Sequence, residues 1–134
     1  MKKQSVTPCG NKPYDLKFEE RNGFLFARVT APGLTSETKA QYLKEVADKC
    51  AEIDCKGVAI HREVTGPLIG GAIYPIVVET LERFGTKPLA FVNPPGTGLG
   101  FFTLAYEKLG GRIGVFDGLN EAEYWLATAH ENNN

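Results

Sequence analysis

Three short apolar runs constrain this chain most: Gly57-Val58-Ala59-Ile60, Leu89-Ala90-Phe91-Val92 and Ile113-Gly114-Val115-Phe116. Each is too short for a helix and too apolar for a surface loop. Each reads as a strand buried on both sides. Between them the apolar residues recur at helical spacing. Leu43, Val46, Ala47, Cys50 and Ala51 form one stripe, with lysines and acids between them. Strands joined by helices lie parallel in one sheet, with right-handed crossovers.

The start of the chain is different. Leu16, Phe18 and Glu20 alternate with Lys17 and Glu19, as in a half-buried strand. Asn22-Gly23 follows, a strong hairpin signal. Residues 24–29 return as a strand apolar on both faces. Pro32-Gly33 breaks the chain, and Thr35 or Ser36 is placed to cap the first helix. A second helix is expected from about Gly70 to Phe84, with Ile73, Ile76, Val77 and Leu81 inward. Pro75 must kink it or mark its true start. A third runs from Thr97 to Leu109 and stops at Gly110-Gly111. Asn120 is expected to cap a fourth, with Glu123 in the box position. The expected fold is α/β: a single mixed five-stranded sheet, an N-terminal hairpin followed by alternating helices and parallel strands. Residues 1–13 read as a flexible arm, 14–130 as the domain and 131–134 as a disordered tail.

With 134 residues and a hydrophobic fraction of 43%, the chain can bury one sizeable core. Lysine and arginine total 15 against 16 acids, which argues against a nucleic-acid groove and a polybasic membrane patch. No apolar run reaches the roughly 20 residues of a membrane span. The polar start Met1-Lys2-Lys3-Gln4 gives no expectation of a signal peptide. Three cysteines make no disulfide framework, so a reduced, cytoplasmic protein is expected, with Cys50 a core residue.

This order of elements resembles the STAS family (sulfate transporter and anti-sigma-factor antagonist domains) over Tyr14 to Ala127. The ending Gly114 to Leu126, a strand, turn and helix, is similar to the family's last unit. Val64-Thr65 matches the Val-Thr pair of the family's loop, and Gly71 fits the family glycine. Leu68 stands where the family has an acid. Ile69 and Gly70 stand where it has serines, one of them phosphorylated in the sigma-factor switches. This chain has no hydroxyl at that position. The strand and helix order is also similar to that of lipid-binding Sec14-type folds. The resemblance implies a non-catalytic regulatory or adaptor domain that docks a protein partner through the loop and helix start after the third strand.

The residues themselves leave alternatives open. His61, Glu63, Thr65 and Gly66 lie at the carboxyl end of a parallel strand, where ligands and partners favour open α/β sheets. His61 and Glu63 fall on one side and Arg62 on the other. Glu63 is placed to pair with His61 or Arg62. Ile69, Gly70 and Gly71 follow. Asn93, Gly96, Thr97 and Gly98 lie in a second glycine-rich connection, whose N–H groups suit an anion at a helix start. The third glycine of a dinucleotide fingerprint would fall at Phe101, and no P-loop ending is present. Phe101, Phe102 and Tyr106 read as core or as pocket lining with Ile69, Ile73 and Tyr74. A small-ligand or lipid carrier, with its pocket between the two glycine-rich connections, is therefore the alternative to the adaptor. No metal site or cofactor is expected, and enzyme chemistry would rest on His61 and Glu63 alone. The exposed edge of the first hairpin leaves a homodimer open.

Overall fold

The computed structural model describes residues 14–33, 35–64, 74–92 and 100–131. The arm, residues 132–134 and both glycine-rich connections, 65–73 and 93–99, lie outside them. Glu131, expected in the tail, is described as helical.

The hairpin forms as Asn22-Gly23 dictates. β1 (Asp15–Arg21) and β2 (Phe24–Ala31) pair antiparallel, with Arg21 opposite Phe24. Asn22 at φ 57° and Gly23 at φ 85° make the left-handed turn that matches strand twist. β3 (Val58–Val64), β4 (Leu89–Val92) and β5 (Ile113–Phe116) then add in parallel, giving one sheet in the order β1-β2-β3-β4-β5. The sheet thus grows in one direction. Crossovers of one hand then place α1 (Ser36–Ile53), α2 (Tyr74–Phe84) and α3 (Gly100–Lys108) on the same face. α4 (Leu119–Glu131) follows the last strand and returns over the other face.

Local chemistry fixes the helix ends. Thr35 caps α1: its Oγ1 accepts from Thr38 N–H at 3.2 Å, and Thr38 Oγ1 accepts from Thr35 N–H at 2.8 Å. α1 ends in a Schellman turn, with Asp54 at φ 54° and Cys55 N–H bonded to the Cys50 carbonyl at 3.0 Å. α3 ends in the same way at Gly110, φ 97°, where Gly111 N–H reaches the Tyr106 carbonyl. Pro75 sits in the first turn of α2, where its missing N–H costs no helical bond.

Alternation along the strands produces two cores. Leu25, Ala27, Val29, Val58, Ile60, Leu89 and Phe91 face α1–α3 in the larger one. Phe24, Phe26, Ala59, Ala90 and Val92 face α4, meeting Ala122 and Leu126 in the smaller one.

Four further expectations change. β3 runs to Val64, so His61, Arg62 and Glu63 are strand residues, not loop residues. Ala51 lies on the exposed side of α1. α4 starts at Leu119, one residue before the expected cap at Asn120. Gly118 N–H donates to Glu121 Oε1 at 3.2 Å, so Glu121, not Glu123, closes the half-box. Finally, Cys50 and Cys55 are bridged by a disulfide, where reduced cysteines were expected. The tight turn after α1 brings their Cα atoms to 5.2 Å, within bridging range. Both lie in the larger core, as expected for Cys50.

Candidate functional site

The extension of β3 decides where its side chains go. His61 and Glu63 emerge on the α4 face, and Arg62 on the opposite face among the core residues. Beside α4 the sheet holds a groove of about 320 Å³. Lys17, Arg21, Phe26, Arg28, His61 and Leu119 line it. Glu63 pairs neither with His61 nor with Arg62. Its partner is Arg28, diagonally across from it on β2, at 2.7 Å. That hydrogen bond, with the charge of Arg28 behind it, holds the Glu63 carboxyl below its usual range. Arg21 lies 4.3 Å over the Phe26 ring and bridges to Glu123 of α4 at 3.7 Å.

The other face holds what the sequence reading missed. Arg62 is wholly buried (0% exposed) on a strand whose same-face neighbours are Val58 and Ile60. Its guanidinium lies 6.0 Å from the centre of the Phe91 ring. Phe91 meets Phe102 edge-on at 5.7 Å, and Lys39 Nζ lies 6.0 Å from the Phe102 ring centre. Lys39 is half-buried. Its amine is pushed down to about 8, first by burial and then by the charge of Arg62. The buried Tyr42 ring belongs to the same cluster. Burial raises its phenol and Arg62 opposes that rise, although no N–H points at the oxygen with hydrogen-bonding geometry. Tyr14 stands at the edge of Tyr42, ring centres 6.1 Å apart, and donates its hydroxyl to Glu45. The period-two pattern Val58, Ile60, Arg62 was a legible signal for the arginine. Reading His61 onward as loop hid it.

Between α2 and α3 lies a third feature. Tyr74, Leu104 and Leu109 are 50%, 56% and 42% exposed and, with Ala105 and Lys108, line a groove of about 380 Å³. Tyr74 is the first residue of α2. Phe102 and Tyr106 are core residues, so among the described residues of the expected aromatic lining Tyr74 is the one on a surface. The side chain of Phe101 is outside the described set, as are Thr65, Gly66, Ile69, Gly70, Gly71, Asn93, Gly96, Thr97 and Gly98. His61 and Glu63 are thus the two expected site residues with a described position. They are close to each other and on the face opposite Arg62. Among the described residues no cluster of His, Cys, Asp and Glu has metal-binding geometry. No helix there is long and apolar enough to cross a membrane.

No family model and no curated protein matches the sequence. The fold is similar to a solved structure from Shewanella loihica, an uncharacterized protein of the DUF3478 family with a SpoIIAA-like fold. The TM-score is 0.54 at 14% identity, over 90% of this chain and 99% of that one. SpoIIAA-like is the fold of the STAS, anti-sigma-factor antagonist domains, and it is the fold of this chain.

Proposed function

We propose that this STAS-like domain is a non-catalytic adaptor, docking a protein partner on the face formed by the start of α2 and the outer side of α3. The observation that carries this reading is the apolar groove of Tyr74, Leu104 and Leu109. Large apolar side chains grouped on a surface, with a lysine at the rim, have the make-up of an interface centre. The groove adjoins the point where the 65–73 connection enters α2, the segment through which the family resemblance implies docking. Glu63 supports the non-catalytic part. A carboxylate held ionised by Arg28 is poorly tuned for moving protons near neutral pH.

The test is a cross-linked pull-down from the source cell with wild type, Leu104→Glu and Gly71→Arg. Leu104 is more than half exposed, so its charged replacement leaves the far-ultraviolet circular dichroism spectrum unchanged. The expected result is a partner held by the wild type and lost by both variants, with cross-links on α2 or α3. A partner retained by Leu104→Glu, or no partner for the wild type, would reject the docking face.

A further inference from the structure

β1 is an outer strand of the sheet, and the hairpin decides which of its backbone groups face outward. Leu25 N–H donates to the Gly57 carbonyl at 3.0 Å, so Leu25 turns toward β3 and not toward Glu20, which lies opposite it on β1. Along an antiparallel ladder, bonded and unbonded pairs alternate. Leu16, Phe18 and Glu20 therefore hold the unbonded positions and point their N–H and C=O groups away from β2. β1 pairs with β2 residue for residue from Asp15 to Arg21, so it has no bulge, and it holds no proline. Two common devices that close an edge to a further strand are thus missing. Phe18, at the middle of this edge, is 38% exposed. Charge is the third such device, and here the order of the charges decides what can pair.

Asp15, Lys17, Glu19 and Arg21 share one face of β1 and alternate in sign. We infer that β1 pairs antiparallel with β1 of a second copy of this chain, on a two-fold axis at Phe18, joining two five-stranded sheets into one. Outward-facing residues must meet outward-facing residues, which restricts the long registers to centres at Lys17, Phe18 or Glu19. A centre at Lys17 sets that lysine against itself and Asp15 against the partner's Glu19. A centre at Glu19 sets that acid against itself and Lys17 against the partner's Arg21. Larger shifts leave fewer residues paired. With the centre at Phe18, Asp15 meets the partner's Arg21 and Lys17 meets the partner's Glu19, so every pair on this face is opposite in charge. On the other face Phe18 meets the partner's Phe18, and Leu16 meets the stem of the partner's Glu20. Every outward N–H and C=O of Leu16, Phe18 and Glu20 then has a bonding partner. Lys17 gains most. Within its own sheet it lies directly opposite Arg28, a like charge, and its acid Asp15 is 3.9 Å away. The homodimer that the sequence leaves open thus acquires a register. It shares no residue with the groove on α2 and α3, so it stands or falls independently of adaptor docking.

The experiment is sedimentation velocity of the full chain from micromolar to millimolar concentration in low salt. A single strand pair is a small interface, so the wild type is expected to pass from monomer to dimer across that range. Lys17→Glu sets like charges against the partner's Glu19, and Glu19→Lys sets them against the partner's Lys17. Each change acts twice across the axis and is expected to raise the dissociation constant at least about tenfold. Both positions are exposed, so the variants fold, and an unchanged circular dichroism spectrum verifies it. Mixing the two single variants in equal amounts should restore a dimer, because in the Phe18-centred register each altered strand complements the other. The double variant Lys17→Glu/Glu19→Lys should restore it with itself. A wild type that stays monomeric at every concentration overturns the proposal. So does a dimer that both single variants leave intact, or a mixture that fails to associate more tightly than either variant alone.

Discussion

At the residue scale, Lys39 makes a direct claim about pH. Its amine falls from 10.5 to about 8, by burial first and Arg62 second. Between those values the unfolded chain binds the proton more tightly than the folded one. Stability from this group therefore rises as pH climbs from about 8 toward 10.5, and its penalty is at full strength below about 8. Lys39→Met removes the group. In urea melts at stepped pH, in buffer free of phosphate and carboxylates, the variant is expected to be the more stable protein near neutrality. The gap closes above about pH 8. Tyr14, Tyr42 and Tyr106, whose phenols burial raises, act the opposite way above about pH 10. They do so in both proteins and largely cancel. A gap that is flat with pH would mean that the ammonium is as well hydrated in the fold as outside it. A lysine between the apolar positions of a helix reads as solvated, so nothing in the sequence marked Lys39. Arg62 was marked by its register, because a side chain two residues after Ile60 on a strand shares its face.

At the element scale, order and type were legible because turn chemistry and apolar period agree. Asn22-Gly23, Pro75 and Gly110-Gly111 each sit where their backbone preferences place them. Ends without such residues were less legible. Gly118 carries no side chain to announce a cap, so the reading fell on Asn120. β3 continued past Ile60 through charged residues because Arg28 of β2 offers Glu63 a diagonal cross-strand partner, which the pairing of the two strands brings within reach. The Cys50–Cys55 bridge was missed for a related reason: five residues of separation bring two cysteines together only if α1 ends in a left-handed turn between them. The bridge closes a short loop, and loop entropy assigns it roughly 2 kcal/mol. Adding a phosphine reductant should lower the unfolding free energy by that amount, read as a lower urea midpoint at an unchanged slope. An unchanged midpoint would mean that the Schellman bonds and core packing alone hold this turn.

At the scale of the whole molecule, the two faces of the sheet are unequally supported. Among the described residues three helices cover one face, α2 packing against both α1 and α3, whereas α4 alone covers the other. α4 is held by Ala122 and Leu126, by Trp125 against Phe116 at 5.5 Å, and by Arg112 donating to the Ala129 carbonyl at 3.0 Å. This asymmetry leaves the groove beside His61 open and leaves α4 packed on strands, with no helix beside it among the described elements. α4 should therefore open as a unit below the free energy of global unfolding. In native-state hydrogen exchange, its amides are expected to exchange through a smaller opening free energy than those of Leu25 to Val29 in β2, which pair with strands on both sides. Added urea should bring the two groups together as global unfolding takes over. Leu126→Ala empties a fully buried position, and should lower the α4 opening energy by about 2–5 kcal/mol. If α4 and β2 instead exchange at one common free energy at every urea concentration, the smaller core is part of a single cooperative unit. The opening of α4 would then have to be discarded as a way of widening the groove.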